Sequence, residues 1–243
     1  MTRFAVIDVE TTGLGNRDRI VEVAVVVVDS HGSVLDEYDT LIDPQRDVGP
    51  THIHGISASM VSAAPLFGEV ARSLIDRLEG AILVAHNLAF DTRMLVNEYE
   101  RLGVSMMPGQ GACTLRTTGE RLETACARYG LPLSDHHRAL ADARVTAQLF
   151  SRLRDIPTDG RGAAFSDLRL SLNPRTLRRE GTPKGPTTAL NRLVTATRFP
   201  TTSGPELSYL HALDWAMDDL VITTVEQDHL LEKRKEPGSG GFP

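Results

Sequence analysis

Apolar and polar residues along this chain follow two rhythms. At the N-terminus the rhythm has period two. Phe4, Val6, Asp8 and Glu10 fall on one face of an extended segment, and Ala5, Ile7 and Val9 on the other. A strand that is apolar on both faces reads as the middle of a sheet. Strands are expected over Arg3–Glu10, Ile20–Asp29 and Val34–Ile42, separated by turn signals at Thr12-Gly13 with Gly15 and at Ser30-His31-Gly32. Links this short favour an antiparallel meander. "AILVAH" (81–86) reads as one more buried strand. The rhythm then lengthens to that of a helix. Leu66, Phe67, Val70, Leu74, Ile75 and Leu78 mark one helix, and Phe90, Met94, Leu95, Tyr99 and Leu102 mark the next. Leu122 to Tyr129 reads as helical with Gly130 as its stop, and a last helix is expected from about Ala139 to Leu153.

After that helix the pattern breaks at "DIPTDGRGAA" (155–164), which sets the expected boundary of a first domain, 1–154. Residues 155–205 read as a basic linker rich in Pro, Gly and Thr. Within it, 161–198 hold 8 Arg or Lys against 2 acids, whereas 1–154 hold 15 Arg against 20 acids. The arginines suit either a solvated linker or an arm that touches phosphates. Leu207, Leu210, Leu213, Met217 and Leu220 form a helical stripe, and Thr224 with Gln227 fits a capping box for one more helix ending near Glu232. A small helical hairpin is therefore expected over 206–236. Its stripe needs a cover: the first domain, a second copy or a protein partner. Residues 237–243 read as a disordered tail.

Bulk properties narrow the class. The 243 residues suffice for a core without staples. Two cysteines, Cys113 and Cys126, make no disulfide framework, which favours a reducing, cytoplasmic setting. The N-terminus, interrupted by Asp8 and Glu10, does not read as a signal peptide. The longest apolar run, Val23–Val28, is too short to cross a bilayer, so no membrane is expected. A net charge of −6 is ordinary and does not advertise nucleic-acid binding.

Asp8 and Glu10 are therefore out of place. Burying one bare carboxylate is costly, and neighbouring ones repel. Asp142 adds to the puzzle, since it shares a helix face with Val145, Thr146, Leu149 and Leu153. Asp91 follows a buried strand and opens a helix. Four acids near one end of a sheet suit a hard divalent cation such as Mg²⁺, which takes carboxylate oxygens and supplies the missing counter-charge. Taken singly, plainer readings exist: Asp142 paired with an arginine, Asp91 a helix cap.

"DVETTG" (8–13), "HNLAFD" (86–91) and "HHRALADA" (136–143) resemble, in order and spacing, the three motifs of the DnaQ-like DEDDh-type 3′→5′ exonucleases, with "IHGIS" (53–57) and "CTLR" (113–116) as further likenesses. The resemblance spans roughly residues 2–153. It implies an α/β fold of the ribonuclease H-like kind: a mixed five-stranded sheet flanked by helices, here with a small C-terminal helical appendage. It implies Asp8, Glu10, Asp91 and Asp142 as ligands of two Mg²⁺ or Mn²⁺ ions, and His137, five residues before Asp142, as general base. His136 is the neighbouring candidate. Arg138 stands where a tyrosine-type relative carries its tyrosine.

In the loop Thr11, Thr12, Gly13 and Leu14, a turn explains the glycine. In relatives this loop meets the 3′-terminal nucleotide, with an apolar side chain such as Leu14 at the base. His54 suits either nucleotide contact or loop packing, and Asn87 has the same status. The activity implied is hydrolysis of DNA from a free 3′ end to nucleoside 5′-monophosphates, in proofreading or repair. The alternatives are the same reaction on RNA, or a non-catalytic polymerase-associated binding subunit. Polymerase-associated proofreading members of the family carry a tail that grips the polymerase, and the resemblance makes residues 165–236 the candidate for a like role, without a match between the two tails.

Overall fold

The structure, a computed structural model, describes residues 2–133, 137–153, 156–166, 175–179 and 231. The chain divides into two units, Met1–Val48 with Ala58–Pro183, and Gly49–Ser57 with Lys184–Pro243. The expected hairpin and tail lie outside the described residues, apart from Leu231, which is helical and exposed.

The first unit is built on β1 (Arg3–Thr11), β2 (Ile20–Asp29) and β3 (Val34–Leu41), an antiparallel meander as the spacing predicts. β2 is buried along its whole length, which suits its run of valines, stiff at χ1 and at home between two covered faces. The chain then forms α1 (Thr51–His54), within the second unit, and returns to the first through α2 (Ala58–Val61) and α3 (Phe67–Leu78). β4 (Ile82–Ala85) runs parallel to β1, and α4 (Leu88–Arg101) follows it directly. Next come β5 (Ser105–Met107), β6 (Ala112–Cys113), α5 (Thr114–Thr118) and α6 (Leu122–Arg128). α7 (Ala139–Arg152) and β7 (Ala164–Ser166) complete the described elements. The main sheet has five strands in the order β3-β2-β1-β4-β6, and β5 pairs with β7 in a small second sheet.

The two faces of β1 go to different helices. Ala5, Ile7 and Val9 pack into a core with residues of α3 and α4, among them Val70, Leu74, Met94 and Tyr99. Val6 packs on the other face with Ala24, Val26 and Val84 against Ala139, Ala143 and Ala147 of α7. Alanines four residues apart line one side of a helix. With no bulk beyond Cβ, they let α7 lie close on the sheet, on the face that carries Asp8 and Glu10.

The compact unit does not end where the breaker at 155–164 suggests. Ala163 is buried, Glu79 bridges to it, and Phe165 stands edge-on to Tyr99 with ring centroids 5.1 Å apart. Gly162 lies against the backbone of Gly80, where a Cβ would have no room. The glycines that look like a terminator in the sequence permit a close return of the chain.

Candidate active site

All four acids singled out in the sequence come to one end of the main sheet. Asp8 and Glu10 project from β1 toward α7, and the first turn of α7 carries Asp142. The first turn of α4 carries Asp91, whose Oδ1 accepts the Val9 N–H at 3.2 Å, so α4 is tied to β1 at the site. Oxygens of Glu10 and Asp142 and a ring nitrogen of His137 all lie within 4.8 Å of one another. The Asp142 Oδ2 accepts the backbone N–H of His137 at 3.0 Å, which fixes that residue to the helix start. His137 sits at φ 64°, a left-handed conformation uncommon outside glycine. His136 lies outside the described residues.

The electrostatics follow from this crowding. Burial pushes the Asp8 carboxyl well above the usual carboxylate range, and the charges of Asp91, Glu10, Asp142 and Glu22 push it further. Burial raises Glu10 to about 8, with Glu22 and Asp142 adding to the effect and Arg179 opposing it. Burial also raises Asp91 to about 8, against the pull of the Val9 N–H. Without added positive charge, then, the cluster favours protonation near neutral pH. A set of carboxylate oxygens beside one imidazole fits a hard divalent cation.

Two members of the site were not legible as such in the sequence. Glu22 lies directly opposite Glu10 in the β1–β2 register, and its side chain is 2 % exposed. Its Oε2 accepts the Ala139 N–H at 3.2 Å and pairs with Arg179 at 3.1 Å. Arg179 comes from the stretch read as linker or phosphate arm. In the described segment 175–179 the arginines meet acids of the first unit: Arg175 pairs with Glu69, Arg178 with Asp39, and Arg179 with Glu22. The signal for Glu22 was available, because an antiparallel register across the Thr12–Arg19 loop sets it opposite Glu10. Arg179 is 157 positions from its partner, and no local pattern announces that.

The residues expected to contact substrate are placed as follows. Thr11 Oγ1 donates to the Gly13 carbonyl at 2.8 Å. Thr12 Oγ1 bonds Asp18 Oδ1 at 3.0 Å, while the Gly15 N–H reaches Asp18 Oδ2 at 2.7 Å. A Cβ on Gly13 would stand 2.7 Å from that same oxygen, so the turn chemistry is real. Arg93 donates to the carbonyl of Leu14 at 3.1 Å and to Asn16 Oδ1 at 2.9 Å, clamping the loop to α4. Leu14, on this anchored loop, is 78 % exposed. Asn87 is exposed at the start of α4. His54 belongs to the second unit, where its ring Nδ1 accepts the Ile56 N–H at 3.0 Å.

A mixed five-stranded sheet with acids gathered at one end and a histidine beside the last of them defines the class: an exonuclease domain of ribonuclease H-like fold. The chain belongs to the exonuclease family, whose RNase_T model matches residues 5–150. It is 33% identical over 161 residues to the PolC-type DNA polymerase III of Caldanaerobacter subterraneus subsp. tengcongensis, covering 62% of this chain and 11% of that protein. To the PolC-type DNA polymerase III of Thermotoga maritima it is 36% identical over 164 residues, covering 61% and 12%. The chain thus spans about a tenth of the length of these curated relatives.

Among solved structures, E. coli Exonuclease I in complex with a dT13 oligonucleotide matches with a TM-score of 0.53 at 18% identity, over 64% of this chain and 42% of that one. The nuclease domain of 3'hExo, a DEDDh family member bound to rAMP, matches with a TM-score of 0.53 at 18% identity, over 62% and 90%. At such identities the likeness is one of fold.

Proposed function

We propose that the protein is a divalent-metal-dependent 3′→5′ exonuclease that shortens DNA one nucleotide at a time, releasing nucleoside 5′-monophosphates, in replication proofreading or repair. The observation that carries this reading is the convergence of Asp8, Glu10, Asp91 and Asp142, from three elements, on one sheet end beside His137. The identity to PolC-type DNA polymerases favours DNA over RNA.

Asp8, Glu10, Asp91 and Asp142 would hold two Mg²⁺ or Mn²⁺ ions. When bound, such ions acidify an attacking water and steady the leaving oxygen of a phosphodiester. The chain's own residues do the rest. His137, whose ring nitrogen shares the Glu10 and Asp142 neighbourhood, takes the water's proton as general base, a task suited to an imidazole near neutral pH. The hydrogen bond from its backbone to Asp142 keeps the ring at the acids. The loop Thr11–Leu14 receives the terminal nucleotide, with Leu14 projecting toward a base. Contacts to a terminus and a backbone carry little sequence information, so digestion should be nearly sequence-independent.

The test is digestion of matched 3′-labelled and 5′-labelled DNA and RNA strands in Mg²⁺ or Mn²⁺. Early release of the 3′ label as a mononucleotide, with DNA preferred, is the expected result. Faster RNA digestion would replace the substrate, and nicking of closed circles would replace the exonuclease reading.

A further inference from the structure

The segment Arg175–Arg179 is held on the first unit at several points. The Leu41 N–H donates to the Leu177 carbonyl at 2.8 Å, and the Leu177 N–H returns to Thr40 Oγ1 at 2.9 Å, at the end of the edge strand β3. Arg175 pairs with Glu69 at 3.1 Å, and Arg178 with Asp39 at 3.3 Å. These anchors deliver Arg179 inward. Its side chain is 13 % exposed, pairs with Glu22 at 3.1 Å, and donates from the same Nη1 to the backbone carbonyl of His137 at 3.2 Å. Glu22 also accepts the N–H of Ala139, the first residue of α7. One ion pair therefore grips both sides of the short link between the histidine and its helix. The chain there needs holding, because His137 has a left-handed backbone that a residue with a Cβ adopts reluctantly.

We propose that Arg179 is a positioning residue for hydrolysis: together with Glu22 it latches the backbone at His137, so that a segment lying past the catalytic motifs completes the site. The latch acts through His137 and so rests on the reading of that residue as the base. A direct phosphate contact is the rival role for an arginine so near the site. The geometry disfavours it, since the guanidinium is mostly buried and already engaged by a carboxylate and a carbonyl.

The experiment uses the full chain, with Arg179→Ala, Arg179→Lys and His137→Ala singly and Arg179→Ala combined with His137→Ala, on a 3′-labelled DNA oligonucleotide in Mn²⁺. A small misplacement of a catalytic group costs up to about 100-fold. Arg179→Ala should accordingly lower kcat by roughly 10- to 100-fold with KM within about twofold, and Arg179→Lys should recover much of the loss. In the His137→Ala background the same substitution should cost nothing further, because the residue it positions is gone. A readout independent of activity accompanies this: amide exchange at His137 and Ala139, which should accelerate in Arg179→Ala. A raised KM with kcat intact, a full additional loss beside His137→Ala, or unchanged amide exchange would each overturn the proposal. If the parent protein degrades nothing, the functional reading fails, and the exchange measurement still decides whether the latch exists.

Discussion

Glu98, buried, and Glu10, half-buried, are glutamates of the same unit treated in opposite ways. Glu98, on α4, is 2 % exposed at its side chain and is met by cations: Arg19 at 2.7 Å and Arg101 at 3.3 Å. It also accepts the Ile20 N–H at 3.2 Å, so it ties a helix to the start of β2. Glu10 faces mainly other acids, and burial among them lifts it to about 8. The fold supplies the counter-charge of a structural acid from within. It leaves a functional acid short of that charge, to be completed from outside. Glu22 stands between the two cases: opposite Glu10 in the sheet, yet paired with Arg179.

The sharpest break of this contrast comes from the functional side. Asp8→Ala or Asp142→Ala should reduce hydrolysis to background while leaving the metal-free fold intact or slightly stabilised, since each removes one of several repelling carboxylates. Activity assays with parallel thermal melts check both halves. Surviving activity in either variant, or in excess EDTA, would refute the metal-holding role.

His137→Ala comes next, with an expected loss of ~10²–10⁴-fold in turnover and DNA binding largely kept. His136→Ala should stay within about tenfold of the parent, as for a residue outside the proton-transfer step. Steady-state rates for both decide the assignment, and a dead His136 variant would reverse it.

From the structural side, Glu98→Ala should leave kcat almost unchanged and lower stability by about 1–3 kcal/mol, the range for removing a partner from charged hydrogen bonds, kept modest because Arg19 and Arg101 regain water. Chemical denaturation measures the change. A catalytic defect larger than the stability defect would erase the distinction between the two glutamates.

The last effect is one of pH. An acid whose folded pKa is raised makes the native state bind more protons than the unfolded chain between the two values. For Glu10 and Asp91 that window runs from the usual carboxylate range to about 8. Metal-free stability should therefore fall as pH rises from about 5 to about 8. Glu98, paired with Arg19 and Arg101, is no part of the cluster, and Glu98→Gln should not remove the trend. Melts in EDTA across this range that rise with pH would contradict the electrostatics of the cluster.

Much of this was legible in the sequence, for physical reasons. Long periodic segments fix β1 to β3, α3, α4 and α7 because burial of one face leaves its period in the chain. Asp8, Glu10, Asp91 and Asp142 stood out because charge in an apolar pattern demands a reason. β6, at Ala112–Cys113, is too short to carry any period, and β7 follows glycines that read as a terminator. There the deciding contact is tertiary, the backbone of Gly162 against Gly80. Glu22 hid inside a strand of valines, where one polar residue looks incidental until the register sets it against Glu10. Arg179 hid in a basic stretch whose composition suggested solvent or phosphate.

The most direct test of the acidic cluster is Mn²⁺ binding to the full chain, measured calorimetrically at pH 7 in two buffers of different ionisation enthalpy. Cation and proton compete for the same raised carboxylates, so binding should release protons, and both binding and release should be strongly weakened in Asp8→Asn and Glu10→Gln but not in Glu98→Gln. Binding without proton release, or equal binding in all three variants, would contradict the claim that these acids are held for a metal.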